Sequence, residues 1–269
     1  MSVGHYENFP VASLLLPAPL REPVAVIYRF ARTADDFADE GSDPPGIRLG
    51  RLRAYALELQ GIQAGHPPGL PLFADLARVI RTHDLPPALF QDLLDAFSQD
   101  VVKNRYASFD EVLDYSRRSA NPVGRLLLHL FRRNTPQALG YSDAICTSLQ
   151  LINFWQDVDI DLATKDRIYL PQDDMARFGV TEHQLRERRC DAAFRNLMQF
   201  QVERARRMML EGKALLAHLE GRLRLEIALT VQGGLRILEK LEHSGYDMFR
   251  RRPVLAWHDW PLLLLRALR

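Results

Sequence analysis

Two pairs of aspartates have a spacing that suits a bound metal ion. Asp35 and Asp39 lie four residues apart, and so do Asp157 and Asp161. On a helix, side chains at this spacing project from one face, with Cβ atoms about 5–6 Å apart. Adjacent carboxylates repel each other unless a cation or a proton lies between them. Mg²⁺ binds one or two carboxylates and completes its shell with water and phosphate. The two pairs therefore predict a Mg²⁺–diphosphate site.

The second pair continues a polar stripe. Gln150 and Asn153 precede Asp157 and Asp161 at positions i, i+3, i+7 and i+11, within otherwise apolar sequence. This spacing keeps all four side chains near one face of a helix. A buried polar group without a partner costs roughly 2–7 kcal/mol. A metal–diphosphate site is the favoured interpretation, and a hydrogen-bond network between helices is the alternative.

The first pair has a weaker signature, because acidic pairs at this spacing are common on solvated helix faces. Asp35 and Asp39 lie near the predicted end of their helix, where the helix dipole disfavours negative charge. A cation would offset that cost. Arg32 lies close by, and either phosphate binding or neutralisation of an acid would explain it. Arg167 follows the second pair, and its guanidinium suits phosphate recognition by its fork geometry.

Helices must position these side chains, because strand patterns are nearly absent and helical periodicity runs through the sequence. Ser108 and Glu111 form a capping-box pattern, and Pro122 is expected to end or kink the helix that follows. The predicted helices cover about 23–40, 47–64, 71–83, 86–104, 123–132, 136–163, 191–219 and 222–244, with further capped helices opening at Ser108 and Thr181 and a short one after Pro253. We predict a single all-α domain over residues 1–269, with roughly ten helices.

Composition excludes some classes of function. The formal net charge is +1, so no basic footprint for nucleic acid is present and none is expected as a partner. Cys146 and Cys190 have no CxxC spacing, which predicts reduced thiols in the cytoplasm. No Gly-rich dinucleotide fingerprint occurs, so no nicotinamide cofactor is expected.

The sequence predicts a cytoplasmic protein, with peripheral contact at the inner membrane as the alternative. The first residues lack the basic-then-apolar layout of a secretory signal. No apolar run reaches the roughly 18–20 residues that span a bilayer. The segment from Trp260 to Leu268 is too short to span, and it is expected to be either a packed terminal helix or a shallow membrane contact.

Both aspartate motifs, together with Arg32, Gln150, Asn153 and the segment Arg167-Ile-Tyr-Leu-Pro171, resemble the squalene/phytoene synthase family of head-to-head isoprenoid synthases. The resemblance runs from His5 to about Arg252. It implies an isoprenoid-synthase fold in which the two motifs face each other across a central cavity, and it implies that the four aspartates bind Mg²⁺. The residues that it places on the substrate diphosphate or on metal-bound water are Arg32, Tyr28, Gln150, Asn153, Arg167 and Arg251.

A finer resemblance is to a bacterial branch, the hydroxysqualene synthases of the hopanoid and squalene pathway. The segments that carry it are His5–Ser13, Asn121–Leu128 and Gly245–Pro253. The resemblance implies that the substrate is presqualene diphosphate, which loses its diphosphate and rearranges before water quenches the cation. Arg118 and Asn121, or Tyr115, are expected to lie near that water.

Two departures from the coupling members of the family favour this branch. Glu7 lies where those members bind a second diphosphate, and Gly234 lies where some relatives have a phosphate-contacting tyrosine. The alternatives are coupling of two prenyl diphosphates and a non-catalytic interaction protein. The aromatic residues expected either to line the carbocation pocket or to form plain core are Phe30, Phe37, Phe97, Phe131, Phe154 and Trp155.

Overall fold

The computed structural model of the protein describes residues 16–268. The segment His5–Ser13 and the residue Glu7, on which part of the resemblance depends, lie outside this range. Within it, the chain forms thirteen α-helices, two 3₁₀ helices and no β-strand, so the predicted all-α class is confirmed. The α-helices are α1 (Ala18–Asp39), α2 (Pro45–Gln63), α3 (Pro71–His83), α4 (Pro87–Asp100), α5 (Phe109–Ser119), α6 (Asn121–Leu130), α7 (Pro136–Gln156), α8 (Val158–Lys165), α9 (Gln172–Phe178), α10 (Glu182–Arg186), α11 (Ala192–Gly212), α12 (Gly221–His243) and α13 (Trp260–Ala267). The 3₁₀ helices are Lys213–His218 and Trp257–Asp259.

Side-chain caps set the start of several helices. The Ser108 hydroxyl accepts a hydrogen bond from the backbone N–H of Glu111, as its sequence pattern predicts. Thr181 caps α10 in the same way, by accepting from the N–H of Gln184. Each cap satisfies one of the four N–H groups that a helix start leaves without a partner.

Two helices differ from the sequence prediction, and a predicted helix end at Pro122 is confirmed. α1 begins at Ala18, so the buried Pro23 lies inside it and does not open it. Pro122 does end a helix, because α5 stops at Ser119 and α6 restarts with this proline in its first turn. The predicted helix over 136–163 is interrupted at Asp157, whose backbone has φ −106° and ψ 12°. The helix count exceeds the predicted ten because the break at Asp157 divides one predicted helix and because α9 was not predicted.

The buried side chains form two apolar clusters that meet at the partly buried Val24 and Phe131. The larger cluster surrounds α7 and α11, which lie against each other. At Gly212 of α11, an added Cβ would lie 2.8 Å from the backbone nitrogen of Ile145, so the two helices approach more closely than a side chain allows. The smaller cluster joins α1 to α2, α3 and α4.

Aromatic rings fill much of both clusters. Phe30 packs edge-to-face against Phe90, with ring centroids 5.4 Å apart, in the smaller cluster. Phe154 stacks on Tyr169 at 3.6 Å in the larger cluster, beside the fully buried Trp155. These rings pack α1 and α7 into the core. The first aspartate motif lies at the C-terminal end of α1, and the second begins at Asp157, directly after α7.

Candidate active site

A cavity of about 860 Å³ lies between α1, α6, α7 and α8. It is near the upper end of the range for small-molecule sites. The residues of α1 that line it are Val24, Ile27, Tyr28, Ala31, Arg32 and Asp35. The residues of α7 and α8 that line it include Leu149, Gln150, Asn153, Ile160, Asp161 and Lys165. The two predicted motifs therefore border one cavity.

The lining changes from apolar to polar in the same direction along α1 and α7. Val24 and Asp35 are eleven residues apart, which corresponds to about 16 Å of helix. The acidic ends of the two motifs also meet, because Lys165 at the end of α8 forms an ion pair with Asp39 at the end of α1. The cavity thus has one charged end and an apolar body.

Asp35 borders the charged end, and Arg32 is its partner. The Arg32 Nη1 atom lies 3.3 Å from an Asp35 carboxylate oxygen, and Nη2 lies 2.7 Å from oxygens of Asp36 and Glu40. Burial raises the pKa of Asp35 to about 7, and the charge of Asp39 adds to the shift. Arg32 therefore neutralises acids of its own helix in this structure, while its contact with phosphate stays a prediction.

Asp39 lies beside the cavity, and basic side chains from another part of the chain surround it. Lys165 binds one carboxylate oxygen, and Arg167 Nη2 lies 3.2 Å from the other. Burial raises the pKa of Asp39, but the charges of Arg167 and Lys165 outweigh that effect and hold the pKa below its ordinary value. Asp39 therefore ionises more readily than Asp35, the other member of the first pair.

The second pair is divided by the interruption in its helix. Asp157 lies between α7 and α8, and Arg252 binds it with two hydrogen bonds, of which Nη2 to Oδ2 measures 3.0 Å. Asp161 lies one turn further, on α8, and lines the cavity. Burial raises the pKa of Asp161 to about 7, against the opposing charge of Lys165.

The donor atoms at the charged end fit a hard divalent cation. Carboxylates of Asp35 and Asp161 face the cavity with the amide side chains of Gln150 and Asn153, and all of these offer oxygen. No group of three or more His, Cys, Asp or Glu side chains within residues 16–268 is close enough to hold a metal ion. This arrangement fits Mg²⁺, which usually takes one or two carboxylates and shares the rest of its shell with substrate phosphates.

Arg167 lies behind Asp39 and does not line the cavity. Its guanidinium is buried and donates to the Asp100 carbonyl at 2.8 Å and to the Tyr169 hydroxyl at 3.1 Å. The Asp100 carboxylate accepts from Tyr115 at 2.5 Å and from Tyr169 at 3.3 Å. Burial raises the pKa of Asp100 to about 6, despite the charge of Arg167. The network holds Arg167 against Asp39 and outside the cavity lining, so its contact with the substrate stays a prediction.

Three other predicted residues also lie away from the cavity lining. Arg118 donates to Gln99 at 2.6 Å and pairs with Asp114. Asn121 is buried and accepts a hydrogen bond from Thr147 at 2.9 Å. Arg251 is exposed, whereas Arg252 lines the cavity. Of the three consecutive arginines at 250–252, Arg252 and not the predicted Arg251 therefore lines the cavity.

Other predicted residues lie where the sequence places them. Tyr28 lines the cavity, as do Gln150 and Asn153. Phe97 borders the cavity, while Phe30 is fully buried core. The remaining aromatic candidates, which belong to the cores and do not line the cavity, are Phe37, Phe131, Phe154 and Trp155.

Gly234 lies within α12, where an added Cβ would be 2.7 Å from Met209 and 3.2 Å from Ile152. It does not line the cavity, and it serves close packing.

Sequence reasoning missed Lys165 and Ser119, both of which line the cavity. Lys165 follows Asp161 by four residues, and this spacing indicates a pair on one helical face. Ser119 precedes a proline-marked helix start and has no comparable signal.

Comparisons with known proteins agree with this geometry. A family model described as squalene/phytoene synthase matches residues 3–259. A hydroxysqualene synthase of Rhodopseudomonas palustris is 34% identical over 88% of this chain and 80% of its own length. A phytoene synthase of Arthrospira platensis is 31% identical over 100% of this chain and 91% of its own.

The fold agrees as well. The crystal structure of squalene synthase HpnC from Alicyclobacillus acidocaldarius superposes with a TM-score of 0.83 at 38% identity, covering 90% of each chain. The fold expected from the motifs is thereby confirmed. The chain therefore belongs to the squalene/phytoene synthase family.

Proposed function

We propose that this enzyme converts presqualene diphosphate and water into hydroxysqualene and diphosphate. The observation that carries the proposal is the single charged end of the cavity, where both aspartate motifs meet above one apolar body. Such a site suits one diphosphate on one large hydrocarbon. Relatives named hydroxysqualene synthase, at 34% and 32% identity over most of the chain, support the same assignment.

The charged end would hold the leaving group. Arg32, Lys165 and Arg252 line it and supply fixed positive charge where the diphosphate gathers negative charge. Asp35 and Asp161, whose carboxylates face the cavity, would hold Mg²⁺ with Gln150 and Asn153 beside them. Asp39 and Asp157 would join them once Lys165 and Arg252 turn to the diphosphate. Bound Mg²⁺ would act as a Lewis acid on the departing diphosphate oxygens. Arg252 has Asp157 as its partner, so it would exchange that carboxylate for phosphate when substrate binds.

The apolar body would protect the carbocation. Its wall includes Ile27, Leu126, Leu127 and Leu149, which exclude bulk water from the hydrocarbon. Phe97 adds an aromatic face, and such faces stabilise cations. The carbon–oxygen bond to diphosphate breaks with its electron pair on the leaving group. The oxygen of one water then bonds to the rearranged cation and loses a proton.

Product analysis tests the proposal. Purified protein with Mg²⁺ and presqualene diphosphate should yield the C30 alcohol and release diphosphate. The same protein with farnesyl diphosphate alone should yield no C30 product. Formation of squalene, phytoene or presqualene diphosphate from C15 or C20 substrates would establish coupling and overturn the proposal. Absence of diphosphate release from every substrate would favour a non-catalytic role.

We also propose that the C-terminal end of the chain contacts the inner membrane peripherally. α13 packs on the fold through Leu263 and Ala267, but Trp257 is 84% exposed and Leu268 is 73% exposed. Trp260 is 50% exposed and Leu264 is 44% exposed, and their four-residue spacing on α13 places them on one helical face with Leu268. No helix in the described range 16–268 is long and apolar enough to cross a bilayer. An exposed strip of tryptophan and leucine suits the interfacial region of a lipid surface.

Vesicle sedimentation tests this contact. The exposed Arg250 and Arg251 lie shortly before the strip in the sequence, so anionic vesicles should bind more protein than zwitterionic ones. The double variant W257A/W260A should lose that binding and keep its activity in detergent. Equal sedimentation of wild type and variant would overturn the contact.

A further inference from the structure

The C-terminal end of α7 is attached to the segment after α12 through two adjacent residues. Gln156, the last residue of α7, donates from its side-chain Nε2 to the Pro253 carbonyl at 2.6 Å. Asp157, the next residue, accepts two hydrogen bonds from Arg252. Two consecutive residues at the helix break therefore bind two consecutive residues that lie 95 or more positions later in the chain.

The two contacts differ in their access to a ligand. Asp157 and Arg252 both line the cavity, so a diphosphate or a metal ion that binds there can reach their side chains. Gln156 is only 2% exposed, Pro253 is buried, and neither lines the cavity. A ligand in the cavity can therefore replace the Asp157 contact, while the Gln156 contact is out of its reach.

Proline makes the buried contact an effective restraint on Arg252. The pyrrolidine ring fixes φ of Pro253 and restricts the preceding residue, Arg252, to extended backbone. A hydrogen bond to the Pro253 carbonyl thus limits the positions of the Arg252 backbone as well. On the far side, the Lys240 ammonium donates to the Val254 carbonyl at 2.7 Å. The two carbonyls that follow Arg252 are therefore held by α7 and α12.

Stability alone does not explain a glutamine at position 156. The Oε1 atom of Gln156 is shielded from solvent and has no hydrogen-bond partner among residues 16–268. A buried acceptor without a partner is unfavourable, and its cost offsets the gain from the single bond that Nε2 forms. An apolar side chain of the same size would avoid that cost. What glutamine supplies here is the attachment of the segment that carries Arg252.

We propose that Gln156 is a positioning residue that keeps the Arg252 guanidinium at the charged end of the cavity after Asp157 releases it, an inference that rests on the proposed function. In the protein alone, both contacts hold the segment. When Asp157 turns to Mg²⁺ and Arg252 turns to the diphosphate, the buried Gln156 contact stays in place. The guanidinium then binds the diphosphate from a fixed backbone, so less conformational entropy is lost on binding.

The variant Q156M tests this role, because methionine has nearly the same length and shape as glutamine and lacks the amide. Q156M should weaken the binding of inorganic pyrophosphate with Mg²⁺ by about five- to tenfold in isothermal titration calorimetry, and it should lower kcat/KM for presqualene diphosphate by a similar factor. In an R252A background, the same substitution should change either quantity by less than about twofold. A merely structural role would give the same loss in both backgrounds.

Q201M is the matched control. Gln201 is fully buried on α11, its Nε2 donates to Asp174 at 2.8 Å, and it does not line the cavity. Q201M should lower Tm and leave pyrophosphate binding within about twofold of the wild type. P253A is the second variant if Q156M folds poorly. It keeps the Gln156 side chain and frees the backbone angle through which the restraint acts, so its loss of affinity should also disappear in the R252A background.

The outcomes separate this inference from the proposed function. An equal loss from Q156M in both backgrounds, no loss in the wild-type background, or an equally large loss from Q201M would overturn the role of Gln156 and leave the proposed function intact. If Q156M weakens pyrophosphate binding only when Arg252 is present, and the wild type forms no alcohol from presqualene diphosphate, the role of Gln156 stands and the proposed function is overturned.

Discussion

Replacement of Asp161 by asparagine should stabilise the protein above neutral pH while it removes a carboxylate from the charged end. Burial raises the pKa of Asp161 from 3.8 to about 7, so the ionised form is unfavourable in the folded state. A shift of about three units corresponds to roughly 4 kcal/mol at most. Asp161 borders a cavity that solvent can reach, so we expect about half of this value. Asparagine has nearly the same shape and carries no charge.

The pH dependence follows from the direction of this shift. Between about pH 4 and pH 7 the folded protein holds a proton on Asp161 that the unfolded chain has lost, so stability falls as pH rises. Above pH 7 the contribution is fully lost. The advantage of D161N over the wild type should therefore be near zero at pH 4 and reach about 2 kcal/mol at pH 8. For a chain of this size, that corresponds to about 4–8 °C in Tm.

Thermal unfolding followed by circular dichroism, in buffer with EDTA, measures this difference. D191N provides a control of opposite sign, because Asp191 caps α11 and hydrogen bonds from the Phe194 backbone and Gln184 hold its pKa below the ordinary value. D191N should lower Tm at pH 8. A D161N variant with unchanged or lower Tm at pH 8, or with an advantage that does not vary with pH, would refute the reasoning.

Three further predictions concern the site and the packing. R252A should lower kcat/KM about 10²-fold by removing a fixed charge from the leaving-group end, while R251A, at an exposed position, should stay within about twofold of wild type in steady-state assays. D259N should lower the free energy of unfolding in urea by about 3 kcal/mol, because the fully buried carboxylate pairs with Arg236 and Lys240. D43N, which removes a carboxylate from an exposed ion pair, should change this free energy little. Equal effects of the two variants would contradict the reasoning. G212A should destabilise the protein by about 1–3 kcal/mol in the same assay, because the added Cβ would meet the backbone of α7. G140A, which has open space around it, should stabilise the protein by about 0.5–1 kcal/mol. The reverse order would contradict the close packing of α7 and α11.

Local sequence patterns predicted the helices well where local forces determine them. The caps at Ser108 and Thr181 were predicted from residue type and spacing, and both form. The end of a helix at Pro122 follows in the same way from the missing N–H of proline. The interruption at Asp157 was not predictable, because the sequence has no glycine or proline between Gly140 and Pro171 to mark a break. Arg252, 95 residues later, holds the side chain there.

The predicted site residues also divide into those placed by local helical spacing and those placed by tertiary contacts. Asp35, Gln150 and Asn153 reach the cavity because helical spacing alone fixes their face. Arg167 turns instead toward Asp100, and this choice depends on a contact between residues 67 positions apart. Which of the arginines at 250–252 reaches the cavity depends on how the segment after α12 folds back against the site. No local sequence pattern describes that path. Basic side chains select partners through tertiary contacts, so their roles were the least predictable.

The pairing of the aspartates with basic side chains has a consequence for the order in which ligands bind. Within residues 16–268, Arg32 pairs with Asp35, Lys165 with Asp39, and Arg252 with Asp157. A diphosphate that arrives alone must compete with these carboxylates for the basic groups. A divalent cation that arrives alone must compete with the basic groups for the carboxylates.

On the proposed function, the two sets of charges would exchange partners when both ligands arrive, and neither set would be left uncompensated. Binding of the metal and of the diphosphate should therefore be strongly cooperative, and by linkage each must raise the affinity of the other by the same factor. On the proposed function, the ion pairs of the protein alone would thus weaken the binding of free Mg²⁺ or of free diphosphate and favour the binding of both together.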